Sequence, residues 1–229
     1  MRSPRPASES GVIEAEGAGW WVATALSYVV SPLALPPIVY GTVLVHVGAS
    51  RLDVMWGAGL AFVFLSLVPL LYVGWMRLRG RIESLEVRDR SKRTGPFLVV
   101  IGASVMAFAA VWGMEIRGRR LIAALVGCHV LNTSLLFLIT TWWKISVHCA
   151  SVAGAVSTLT FAHHHVPGTV LDASPVDGLL LGGGAVLVLA ILWARVRSRA
   201  HTLGQAVAGT GLGLAPYVEL LALARWVGL

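Results

Sequence analysis

Cysteine is almost missing from this sequence: among 229 residues only Cys128 and Cys149 occur, each inside an apolar run. Two isolated thiols exclude a disulfide framework and a cysteine-rich metal site, and they read as small packing residues. Charge is scarce too. Asp, Glu, Lys and Arg make up 13% of the chain, about half the share of a soluble domain, which excludes a water-solvated globule. Acidic residues are the rarer sign, 11 against 18 Lys and Arg, leaving few carboxylates from which to build a metal centre.

What is abundant is apolar side chain, at 56% of residues with a mean hydropathy of +0.77. The fold class this predicts is all-α, a polytopic transmembrane helical bundle. Apolar runs cover about 18–48, 53–77, 96–114, 119–142, 146–163, 177–195 and 202–226. They give about seven candidate spans, with six possible. Residues 1–17, with Arg2, Pro4, Arg5 and Pro6, read as a flexible tail, and 18–229 as one domain. The first run is longer than a bilayer needs and contains Pro32, Pro36 and Pro37, which predicts a kink or a break.

The net charge of +7 does not point to nucleic acid, because the basic residues form short clusters between apolar runs and no continuous basic face. Membrane lipids and an anionic lipid substrate are the expected partners.

Three polar clusters interrupt the apolar runs: Arg88 to Pro96, Lys144 to His148, and Arg195 to Gln205. Counting crossings puts two spans between the first and second, and two between the second and third. All three are therefore expected at one membrane face. In the third, His201 and Gln205 are four apart at the start of a helix and share a face of it, and Arg195 precedes His201 by six residues. Lys144, Ser146 and His148 alternate, so an extended segment would point them the same way. Two imidazoles among permanent cations make a poor metal site, since the cations repel a metal ion. They suit a phosphate: the cations neutralise its oxygens, one imidazole can attack phosphorus and the other can protonate the departing oxygen. No cofactor is expected.

These residues resemble the signatures of the type 2 phosphatidic acid phosphatase superfamily. Arg195, His201 and Gln205 are spaced like its third motif, Ser146-Val147-His148 is similar to its second, and Arg90 to Pro96 to its first. The resemblance is nearer to a divergent prokaryotic branch with a WKIS-x-H second motif and an HT-x-x-Q third, here Trp143 to His148 and His201 to Gln205. Its opening motif resembles Pro32-Leu33-Ala34-Leu35-Pro36 with Ser27 upstream, and its first motif Asp89 to Pro96. Resemblance covers roughly residues 24 to 215.

The family implies metal-independent hydrolysis of a lipid phosphate ester through a phosphohistidine. It implies His201 as nucleophile and His148 as general acid. Gln205 would orient the nucleophile where the family has an aspartate, and Arg195, Ser146, Lys144, Arg90 and Arg93 would bind the phosphoryl oxygens. The second motif lacks the family's Pro and Gly, and Glu86 stands where a lysine is expected seven residues before Arg93.

Other polar residues read as structural. His163-His164-His165 beside Pro167 and Gly168 is expected in an exposed connector on the other face. His129, Asn132 and Glu219 are expected to form interhelical hydrogen bonds, and Gly182 to Gly184 to permit close helix packing. Parity places 13 Lys and Arg on the motif face and 5 on the other, favouring a cytoplasmic motif face in the cell membrane. A polyprenyl (di)phosphate, a phosphatidate and phosphatidylglycerol phosphate all fit as substrates. A lipid phosphotransferase and a non-catalytic lipid-phosphate binder or transporter remain as other functional classes.

Overall fold

The computed structural model describes residues 17–87, 89–171 and 178–229. Of the expected tail, only Gly17 lies within them, as the N-cap of the first helix. The described residues form eight helices and no strand, a helical membrane bundle.

The first apolar run is broken. Helix α1 (Ala18–Val29) ends at Val30 and α2 (Leu35–His46) begins after Pro32. Pro36 and Pro37 lie in the first turn of α2, where a missing N–H breaks no helical bond. Each helix has 12 residues, about 18 Å, too short to cross a hydrocarbon core of about 30 Å alone. Together they reach from one end of the bundle to the other. Gly19 of α1 lies against Arg197 on the motif face, and His46 at the end of α2 binds Val166 and Leu171 on the other.

Helix α3 (Arg51–Leu78) starts with a Ser50–Asp53 capping box. It widens into a π segment at Phe62–Leu67, just before Pro69. Proline cannot donate to the carbonyl four residues back, and the extra residue in that turn absorbs the mismatch. A loop with a 3₁₀ turn at Arg90–Lys92 leads to α4 (Thr94–Trp112), followed by α5 (Arg119–Trp142) and α6 (Val147–His165). The bundle closes with α7 (Leu179–Arg197) and α8 (Leu203–Val227), the latter bent at Leu214 before Pro216. Among the described helices, α3, α4 with its preceding 3₁₀ turn, α5, α7 and α8 are long and apolar enough to span a membrane. Helix α6 lies at the centre of the bundle, packed against α2, α7 and α8.

The surface carries the apolar residues that a soluble protein hides: Met55, Leu71, Val186, Leu189 and Val218 are all more than half exposed. Lipid is their solvent. Trp75 lies under the guanidinium groups of Arg79 and Arg81 toward the motif end of the bundle, the pairing expected at a membrane interface. Trp112, under Arg119 and against Trp226, forms the same kind of cluster toward the other end.

The interior between α2, α5, α6 and α8 holds a cavity of about 110 Å³ lined by Tyr40, Cys128, His129, Asn132 and Thr158 among others. Asn132 Nδ2 donates to Glu219 Oε2 at 2.7 Å, an interhelical bond between α5 and α8 that gives both residues the kind of partner expected of them. His129 departs from expectation: its Nε2 is buried with no protein partner, because its ring faces this cavity and not a polar group on the next helix. The histidine tract departs too. His163–His165 form the last turn of α6 rather than a connector, held because His163 Nδ1 pairs with the Leu171 carbonyl and His165 Nε2 with the Tyr217 hydroxyl. Gly184 makes the expected close approach, to Val156 of α6, whereas Gly182 and Gly183 have open space around them.

Candidate functional site

The three polar clusters meet at one end of the bundle through named bonds. Arg93 Nε donates to the Val87 carbonyl at 2.8 Å and Nη1 to the Ile145 carbonyl at 3.3 Å, tying the first cluster to the second. Ser146 N–H donates to the Gln205 carbonyl at 3.3 Å, tying the second to the third. Helices α6 and α8 approach closely here because Gly209 presents only hydrogen to the Ser146 carbonyl.

His201 is placed by the turn between α7 and α8. Arg199 adopts a left-handed φ of 55°, and His201 N–H returns to the Arg195 carbonyl at 3.1 Å, so the backbone itself brackets the two side chains. Thr202 is the N-cap of α8 and forms a capping box with Gln205. Gln205 Oε1 accepts from Thr202 N–H at 3.3 Å and faces His201 Nδ1 at 3.2 Å. An atom that accepts from a backbone N–H is the amide oxygen, so Nδ1 carries the ring proton and Nε2 keeps the lone pair. The imidazole is buried. Burial, then the charges of Arg93, Arg195 and Lys144, push its pKa down to about 3 against a smaller opposing effect of the Gln205 bond. His201 is thus an unprotonated imidazole beneath three cations.

His148 shares two of those cations. Arg195 and Arg93 both act on its ring, with Glu86, and the Ser27 backbone lies within hydrogen-bonding reach. Here the expected extended alternation fails. Ser146 is on extended backbone and Lys144 lies outside any helix, but Val147 already starts α6, so His148 belongs to the first helical turn. Ser146, expected as a phosphoryl ligand, is wholly buried and is the N-cap of α6, its Oγ accepting from Cys149 N–H at 3.4 Å. Arg90 lies exposed on the 3₁₀ turn and is not among the charges acting on either imidazole. The register of the loop turns Arg93 inward in its place. Arg88 lies outside the described residues.

Arg195 is 3% exposed and meets a residue that motif spacing marks only as a mismatch. Its Nη1 donates to Glu86 Oε1 at 2.8 Å and its Nη2 to Glu86 Oε2 at 3.4 Å. Its Nε is buried with no protein partner. Nothing in the sequence separates Glu86 from Glu83 or Asp89 nearby, since only folding shows which one turns inward.

Among the described residues no group of three or more His, Cys, Asp or Glu could hold a metal ion. The arrangement instead gathers cationic donors around two imidazoles, chemistry suited to an anionic phosphoryl group. No protein-family model, curated protein or solved structure matches the chain.

Proposed function

We propose that this membrane-embedded protein is a lipid phosphatase, hydrolysing the phosphoric ester or diphosphate of a polyprenyl or glycerolipid substrate through a phosphohistidine. The observation that carries the reading is the pair of imidazoles, His201 and His148, sharing the charges of Arg93 and Arg195, with Nε2 of His201 left unprotonated by the Gln205 contact at Nδ1. The resemblance to the type 2 phosphatidic acid phosphatases supports it from the sequence side.

In the first step Nε2 of His201 attacks phosphorus and an N–P bond forms. The P–O bond to the lipid breaks, and the departing oxygen takes a proton from His148. Arg195, Arg93 and Lys144 offset the charge on the phosphoryl oxygens throughout. In the second step water attacks the phosphohistidine and gives its proton to His148. The N–P bond breaks, and inorganic phosphate leaves with both histidines restored. The excess of Lys and Arg on the motif face favours placing this site at the cytoplasmic side of the cell membrane.

The test is phosphate release by purified protein in detergent with a chelator, across a panel of lipid phosphates. Release is expected for at least one lipid and is expected to vanish in His201→Ala. Unchanged release in that variant removes His201 as nucleophile. Phosphoryl transfer to a second lipid without release would make the protein a transferase, and lipid flux across liposomes without turnover would make it a transporter.

A further inference from the structure

A guanidinium presents two bidentate edges, one end-on through Nη1 and Nη2 and one side-on through Nε and Nη2. Glu86 takes the end-on edge of Arg195, firmly at Nη1 (2.8 Å) and loosely at Nη2 (3.4 Å). The side-on edge retains a buried Nε–H with no protein partner, on a side chain only 3% exposed. Buried donors in folded proteins are paired, so this one is a place for a ligand acceptor. Arg195 lies beside the reacting groups: its carbonyl accepts the His201 N–H at 3.1 Å, and its charge acts on both His148 and His201.

We propose that Glu86 is a positioning and specificity-determining residue. It holds the guanidinium plane end-on so that Nε–H and Nη2–H grip a phosphoryl group side-on, and it stays in place when that group binds. This rests on the phosphoryl-site reading above.

Retention of Glu86, as opposed to its displacement, follows from how its backbone is held. Val87, the next residue, has φ 44°, a region a β-branched residue occupies only when its surroundings impose it. Those surroundings are present: Val87 is buried with Val73, Met76 and Ile82, and Arg93 Nε holds its carbonyl at 2.8 Å. On so fixed a segment the carboxylate can leave Arg195 only by rotating its own side chain, against a 2.8 Å ion pair in a site where it is 7% exposed.

A retained carboxylate also limits the charge the site accepts. Arg93, Arg195 and Lys144 act on the His201 ring, and Glu86 brings the opposite sign against Arg195. A phosphomonoester carries about −1.5 to −2 near neutral pH. A diphosphate brings more negative charge and is repelled more strongly by a carboxylate that stays in place. Glu86 therefore selects monoester over diphosphate.

The test is calorimetric binding of orthophosphate and pyrophosphate to the full chain in detergent with a chelator, for wild type, Glu86→Gln, Glu86→Ala and Arg195→Lys. Glu86→Gln keeps an oxygen for Nη1 but removes the charge, so the affinity ratio of pyrophosphate to orthophosphate is expected to rise about tenfold. Glu86→Ala releases the guanidinium, so orthophosphate binding is expected to weaken about tenfold. Arg195→Lys loses the planar fork and is expected to weaken both anions. Orthophosphate binding in Glu86→Ala as tight as in wild type, or tighter, would make Glu86 a competitor for the fork and overturn the proposal. An unchanged ratio in Glu86→Gln overturns it also, as does Arg195→Lys binding like wild type. If Glu86→Ala loses its helical circular dichroism, Glu86→Gln decides alone. Folded wild type that binds neither anion removes the phosphoryl-site reading, and this proposal with it.

Discussion

The side-chain oxygen of Gln205 lies 3.2 Å from Nδ1 of His201 while also capping α8 through Thr202 N–H. One amide thus starts the helix and fixes which ring nitrogen carries the proton. Gln205→Leu loses both functions. We expect a fall in phosphate release of about a hundredfold or more through the lost tautomer, with a destabilisation of about 1 kcal/mol from the lost cap. Gln205→Glu keeps the acceptor and adds a charge that stabilises the imidazolium, so its turnover should equal or exceed wild type. Release rates and detergent melting temperatures check both variants. A Gln205→Leu protein with wild-type turnover would show that Gln205 only caps.

Because the His201 pKa is pushed down to about 3, the ring stays neutral in the folded protein where an unfolded histidine, with a pKa of about 6.5, has taken up a proton. The unfolded chain then binds more protons between about pH 6.5 and 3, so this group favours folding fully above that window and progressively less as pH falls through it. Two outcomes are expected. The acid limb of phosphohistidine formation should lie well below pH 6.5, and His201→Gln should reduce the loss of melting temperature on acidification. Rapid-quench rates across the pH range and melting curves read them. An acid limb at about 6.5 would contradict the buried, cation-flanked setting of the ring.

Two glycines of α8 separate packing from propensity. A Cβ on Gly209 would meet the Ser146 carbonyl, while one on Gly211 meets nothing within 4 Å. Gly209→Ala should push α8 away from α6 and so separate His201 from His148, lowering phosphate release at least about tenfold. Gly211→Ala should leave release intact and raise stability by up to about 1 kcal/mol, as expected for alanine in a helix. Equal activity in the two variants would show that the contact at Ser146 does not position the site.

Deep in the bundle, Asn132 donates to Glu219 at 2.7 Å. Asn132→Leu leaves the carboxylate without that donor, and a loss of about 1.5–3 kcal/mol is expected. In the Glu219→Gln background the same change should cost less, so a double-mutant cycle of melting free energies should show positive coupling. Additive losses would mean that the bond contributes little.

The membrane nature of the protein was written in composition, because hydrocarbon thickness sets the length of an apolar run and backbone polarity requires that the run be helical. Local chemistry was legible as well. The capping box at Thr202 and Gln205 and the pairing of that amide with His201 depend on residues within four positions of one another, where helical geometry alone brings side chains together. Even the convergence of the Arg93, Lys144 and His201 segments followed from counting crossings, since an even number of passes returns a chain to the same face.

Other features were decided only by the tertiary structure, and each depends on how side chains turn once helices pack. Sequence spacing does not distinguish Arg93 from Arg90, yet folding seats the first on the Val87 and Ile145 carbonyls and leaves the second exposed. Ser146 became a buried cap because α6 begins at the next residue. His129 lost its expected partner because the space beside it is a cavity. Above all, Glu86 and Arg195 are 109 positions apart. No local rule couples two such residues; their ion pair exists because the loop after α3 and the end of α7 are folded against the same end of α6.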